Sequence, residues 1–321
     1  MKMLLRTLAC LAVTAASIGH AADAYPSKPL RFLVGYPPGG AVDVIARTLG
    51  QQLATILGQS VVIENKPGAG TNIAVRTLID SAPDGYTLML TANSLAANMA
   101  LYSPPPFDAE HDVAPVALVG RVPVVIAAGA QSPFTTLAQV VEASKAKPGS
   151  VNYATPGNGS TPHLAVEMFA RAAGIQLTHV PYKGGAPAIT DVLGGQLPLV
   201  AVNALEAIPH VKAGKMRVLA SMSAKRPAML PDTPTIAESG FPGFEASVWY
   251  GVIVTGRTPP EIVAKLAAAV QKALASPEMQ TRLSNVGGEA TYGDPRQFGA
   301  LIHAERLRYE KVVREGNIRA D

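Results

Sequence analysis

Apolar positions recur along this chain in two alternating spacings. Short, nearly continuous apolar runs at 31–34, 60–64, 86–90 and 116–119 read as buried strands, bounded by Gly, Pro, Asn or Asp. Between them the spacing lengthens: Val44, Ile45, Leu49, Leu53, Ile56 and Leu57 return every three or four positions and line one face of a helix starting near Asp43. The alternation resumes after a run at 124–128. Strands are predicted at 151–154, 178–181, 197–202 and 218–221, with helices over about 137–145, 164–173 and 188–193 and another ending at 214. A linker-like region at 231–243 precedes a strand at 248–254 and two long amphipathic helices. One carries Ile262, Leu266, Val270 and Leu274, the other Phe298, Leu301, Ile302, Leu307 and Val312. This order predicts an α/β protein with largely parallel sheets.

Three strand-to-helix connections carry glycine. The first, Tyr36-Pro37-Pro38-Gly39-Gly40-Ala41, enters the helix of Asp43; the second holds Gly68 and Gly70; the third runs from Thr155 through Gly157, Asn158, Gly159, Ser160 and Thr161 to His163. Such a loop gathers backbone N–H groups and the positive end of a helix dipole at one point, which suits an anion. It also suits a tight connection with no ligand. Neither G-x-G-x-x-G nor G-x-x-x-x-G-K-[ST] is present, so a carboxylate is the better match than a phosphate. Two such loops facing across a cleft would clamp a small dianion. Ser160 and Thr161 suit a helix cap, Pro162 the first helical position, and the hydroxyls can also donate to a ligand. Asp43 suits a first-turn acid that complements the dipole.

The N-terminus changes the picture. Lys2 and Arg6 precede an apolar stretch to Ile18, and Ala22-Asp23-Ala24 gives a small-residue cleavage site. Residues 1–24 are therefore expected to be a secretory signal peptide cleaved near Ala24. Cys10, the one cysteine, lies inside it, so the exported chain has neither disulfides nor a thiolate metal site. Without Lys2, Arg6 and Asp23 the balance is 25 basic to 22 acidic residues, scattered, which argues against a nucleic-acid partner. The histidines are scattered too, with no H-E-x-x-H, so neither metal nor cofactor is expected. Ser160 is not in a G-x-S-x-G turn, and no carboxylates pair at the loop ends; Asp191 and Glu206 have no evident partner. The chain reads as non-catalytic, and its length predicts two domains.

Several motifs resemble the Bug family, the substrate-binding receptors of tripartite tricarboxylate transporters in Gram-negative bacteria. They are Tyr25-Pro-Ser-Lys-Pro29, Tyr36-Pro-Pro-Gly-Gly40 with Asp43, Val62-Ile-Glu-Asn-Lys-Pro-Gly-Ala-Gly70 and Ala82-Pro-Asp-Gly-Tyr86. Further along stand Tyr153-Ala-Thr-Pro-Gly-Asn-Gly-Ser-Thr-Pro-His163, Val180-Pro-Tyr-Lys-Gly184, Leu230-Pro-Asp-Thr-Pro-Thr235 and Leu274-Ala-Ser-Pro-Glu278. The resemblance covers the whole exported chain in order.

The resemblance implies a two-lobed periplasmic binding protein fold (type II-like), each lobe a mostly parallel sheet flanked by helices, joined by crossing hinge strands. Lobe I would comprise 25–124 and 247–321, and lobe II 125–246. It further implies a monomeric periplasmic receptor that captures a small organic carboxylate and delivers it to the transporter's membrane subunits. A ligand sensor serving a signalling protein, or an enzyme acting on small acids, are the alternatives. By the same resemblance the ligand meets Tyr36, Pro38, Gly39, Gly40, Ala41 and Asp43 of the first loop. From the third loop it meets Gly157, Asn158, Gly159, Ser160, Thr161 and His163, with Thr91, Asn93, Ser94, Tyr182 and Asn203 also expected at the cleft. Many relatives carry an acid where this chain has Val202. Its absence implies a plain carboxylate ligand without an amine.

Overall fold

The computed structural model describes residues 25–285 and 287–319, so the expected signal peptide lies outside the described residues. The chain begins with β1 (Leu30–Val34), α1 (Ala41–Leu57), β2 (Val61–Asn65), a single 3-10 turn (Ala69–Thr71), α2 (Asn72–Ile79), β3 (Thr87–Ala92) and α3 (Ser94–Leu101). β4 (Val113–Gly129) follows, then α4 (Leu137–Ala146), β5 (Asn152–Thr155), α5 (Thr161–Ala173), β6 (Thr178–Pro181) and α6 (Gly185–Leu193). β7 (Leu199–Asn203), α7 (Ala204–Lys212), β8 (Met216–Ser221) and β9 (Ser247–Thr255) come next. The chain closes with α8 (Pro260–Leu274), α9 (Pro277–Asn285), β10 (Glu289–Gly293) and α10 (Pro295–Gly316).

The predicted periodicities hold where an element has one buried face. In α1, Val42, Ile45, Ala46, Leu49 and Leu53 are buried, and Gly58 ends the helix in the left-handed conformation at φ 71°, its N–H returning to Ala54 O. The outer strands are parallel: β1 lies between β2 and β3, and β5 between β6 and β7. The crossing strands are antiparallel to their neighbours. β4 pairs with β9 from Val113 to Pro123, then with β7 from Val124 to Ala128 and β8 from Val125 to Gly129. This exchange of partners makes the molecule two-lobed, with β4 running through both halves.

Four elements depart from the sequence pattern. The runs at 116–119 and 124–128 are one continuous strand, because β4 keeps a partner throughout and Pro123, which has no N–H to donate, stands where those partners change. α3, α9 and β10 carry patterns too short or too polar to read. Leu307, expected on a buried face of α10, is 47% exposed.

Candidate ligand-binding site

A cavity of about 690 Å³ opens where the first turns of several helices converge. Its wall includes Ala41 and Val42 of α1, Ser94 of α3, Thr161 and Pro162 of α5, Gly185 of α6, and Asn203 at the start of α7. Each such terminus carries partial positive charge on backbone N–H groups lacking an intrahelical acceptor. Among the described residues no Lys, Arg or His lines the cavity, and Glu206 is its one carboxylate.

The first loop is held from behind. Asp43 is buried, and its Oδ2 accepts the Gly39 N–H at 2.9 Å and Arg47 Nε at 2.9 Å, while Oδ1 accepts Asn65 Nδ2 at 2.8 Å. Burial alone pushes this carboxyl upward, but the bonds from Arg47, Gly39 and Asn65 together hold it below the usual carboxylate range. Tyr36 and Ala41 reach the cavity; Pro38, Gly39 and Gly40 are exposed and Asp43 faces the loop. Asp43 positions the loop instead of meeting the cavity.

Beside it, three hydroxyls form a chain: Tyr36 to Ser94 Oγ at 3.1 Å, and Ser94 Oγ to Thr71 Oγ1 at 3.1 Å. Thr71 belongs to the second glycine loop, whose Gly68 and Gly70 also line the cavity. Asn98 pins this loop, donating from Nδ2 to Gly70 O at 2.7 Å and Asn72 Oδ1 at 2.6 Å. The glycine pattern announced this loop, yet only the other two were assigned to the ligand.

The third loop contributes Asn158, Gly159, Ser160 and Thr161. Ser160 caps α5: its Oγ accepts the His163 N–H at 3.4 Å and donates to Gly157 O at 2.7 Å. Gly157 and His163 lie behind the wall. His163 accepts the Gly159 N–H on Nδ1 at 3.0 Å and stacks on His179 with ring centroids 3.7 Å apart. Burial first, then His179 and Arg171, pushes His163 down to about 3, so it stays neutral behind the loop.

Several expected contacts are absent from the cavity wall. Thr91 is wholly buried within β3. Asn93 is buried and spoken for: Nδ2 donates to Ser247 O at 3.1 Å and Tyr309 OH at 2.8 Å, and Oδ1 accepts the Trp249 N–H at 2.8 Å. It ties α3 to β9 and α10. Tyr182 turns its hydroxyl to Asp191 Oδ2 at 2.5 Å. Val202 is fully buried in an apolar cluster with Val125, Ala188 and Val200, so its side chain carries no information about the ligand.

Glu206, which the sequence shows as an acid with no evident partner, is the acid in the cavity. Its Oε1 accepts Asn203 Nδ2 at 3.1 Å, and its pKa is raised by burial, against the opposing hydrogen bonds from Asn203. Asn203 Oδ1 is buried with no partner. The buried hydroxyl of Tyr250 completes this end; burial, then Tyr36 and Glu206, pushes it above its ordinary value.

The family model for the tripartite tricarboxylate transporter family receptor matches residues 45–318. The chain belongs to this family. Its Bug relatives include protein BugT of Bordetella pertussis, 36% identical over 316 residues that cover 97% of each chain. Among solved structures, Rpa4515 of R. palustris with adipate is 33% identical with a TM-score of 0.77, over 92% of this chain and 99% of that one. MatC of Rhodopseudomonas palustris with bound malate is 31% identical with a TM-score of 0.75, over 90% of this chain and all of that one. These neighbours share the two-lobed periplasmic binding protein fold.

Proposed function

We propose that this Bug receptor works in the periplasm, after loss of residues 1–24, as a monomer that captures a small organic carboxylate and hands it to the membrane subunits of a tripartite transporter. Lobe I is 25–124 with 247–321, and lobe II is 125–246. The observation that carries the reading is the convergence of helix N-termini on a cavity whose wall, among the described residues, holds no basic side chain. Backbone N–H groups and the Tyr36–Ser94–Thr71 hydroxyls then supply the donors. Ordered water can bridge the remaining distance, which lets one cradle serve acids of different lengths. The adipate and malate held by two relatives at 31–33% identity support the same ligand class.

The lobes already approach each other. A Cβ on Gly159 would lie 3.0 Å from Leu101 Cδ1, and Asn158 Nδ2 donates to Arg319 O at 3.2 Å. Ligand contacts made to both lobes favour the closed arrangement, and closure is the signal a permease reads. Among the described residues the wall offers no nucleophile beside a general base, which supports a receptor over an enzyme.

A thermal-shift screen of the mature protein against mono-, di- and tricarboxylates tests the reading, because a ligand that binds only the folded state raises Tm. The expected result is a rise with one class of acid. No rise with any acid, from protein stripped of ligand by unfolding and refolding, contradicts it.

A further inference from the structure

The cavity is electrically lopsided. Around most of its wall, helix N-termini and hydroxyls offer hydrogen-bond donors and partial positive charge. At the α7 end the chemistry reverses. Glu206 brings a carboxylate, and Asn203 adds an Oδ1 that is buried with no partner. An ionised Glu206 orients the Asn203 amide, since a carboxylate oxygen accepts only from Nδ2. Asn203 Oδ1 is therefore an acceptor in want of a donor, and Glu206, which takes hydrogen bonds from Asn203, brings a carboxylate to the same place. No Lys, Arg or His among the described residues lines the cavity to supply one.

Glu206 is also seated. Its Oε2 fills the space above Gly185, where a Cβ would come within 1.7 Å of it. Gly185 needs no positive φ there, so it is the room above it, and not backbone freedom, that the carboxylate uses. An ionised acid in a carboxylate-binding cavity repels a dianion, and a positive charge on the ligand removes that repulsion.

We infer that the ligand of this receptor is an amine-bearing carboxylate, its carboxylate at the helix N-termini of the first and third loops and its ammonium against Glu206 and Asn203 Oδ1. This rests on the proposed carboxylate reading and narrows it. A protonated amine supplies three N–H donors and a positive charge, which matches the acceptors at that end and leaves Glu206 ionised. It reverses the expectation drawn from Val202: the acid that meets an amine stands at 206, not 202.

Isothermal titration of matched pairs tests the assignment: aspartate with succinate, glutamate with glutarate, 4-aminobutyrate with butyrate, and leucine with 4-methylpentanoate. In the wild-type protein the amine-bearing member of at least one pair binds about tenfold or more tighter than its amine-free partner, the size expected for a close charge pair. In Glu206→Gln that ratio collapses toward one. Gly185→Ala, which displaces the Glu206 carboxylate without deleting it, shrinks the ratio too and guards against a folding defect in a single variant. The inference is overturned if the amine-free acids bind as tightly as their partners or tighter. It is also overturned if the ratio survives in both variants, since the amine would then sit elsewhere. In either case carboxylates still bind and the receptor reading stands. Failure of every acid in both columns of the comparison overturns the receptor reading together with the inference.

Discussion

Gly185 and Glu206 occupy one space between them: a methyl group on residue 185 would lie 1.7 Å from Glu206 Oε2. The displaced atom is the end of a flexible side chain, so Glu206 can rotate away. Gly185→Ala should therefore cost little stability, about 1 kcal/mol at the low end of overpacking. Chemical denaturation measures this directly. A loss several times larger would mean that Glu206 cannot leave its place.

Asn93 is a structural tie outside the cavity. Asn93→Ala would leave the buried Trp249 N–H unsatisfied and remove the donors to Tyr309 and Ser247, a cost of about 2–4 kcal/mol. A lower denaturation midpoint with ligand affinity unchanged in the folded fraction is the expected pair of results. An affinity loss at intact stability would put Asn93 back at the ligand.

Ser94 links Tyr36 to Thr71 by hydroxyl contacts of 3.1 Å on the cavity wall. Ser94→Ala breaks both. Affinity should fall by about fivefold, corresponding to roughly one net hydrogen bond of about 1 kcal/mol, while Tm of the ligand-free protein moves little. Titration of wild type and variant side by side gives the answer.

Stability should erode in acid from two sources that act in the same direction. His163 titrates at about 3 in the folded protein against an ordinary 6.5, so between those values the unfolded chain binds more protons. Its contribution is whole above pH 6.5 and is lost as pH falls toward 3, with a slope of at most about 1.4 kcal/mol per pH unit. Asp43, held below its ordinary 3.8, adds stability that is present above that value and lost as pH drops through its lower folded value. His163→Asn should flatten the slope of unfolding free energy between pH 4 and 6, measured in denaturant at each pH. An unchanged slope would assign the acid sensitivity elsewhere.

What could be read from the chain depended on how local its cause was. The first loop and α1 were legible because Gly39, Gly40 and the apolar face of Ile45, Leu49 and Leu53 act within one strand-loop-helix unit. Ser160 at the cap of α5 was legible for the same reason. Asn93 looked like a cleft residue because it ends a strand; the partners that bury it, Trp249 and Tyr309, lie more than 150 residues away in sequence. In the sequence Glu206 has no evident partner. Only packing against Gly185 and the surrounding cavity gives it a raised pKa and a special place. The Val202 reading came from the resemblance alone, and the fold turns that side chain into an apolar cluster with Val125 and Val200.

The central claim is that uncharged donors, backbone N–H groups above all, hold a carboxylate in this cavity. Isothermal titration of the ligand-free protein with the acid that shifts Tm most, set against the neutral carboxamide of the same skeleton, tests it most directly. The acid should bind and the carboxamide should bind at least about tenfold more weakly, since hydrogen bonds to a charged acceptor are roughly twice as strong as neutral ones. Equal affinity for acid and carboxamide would contradict the account.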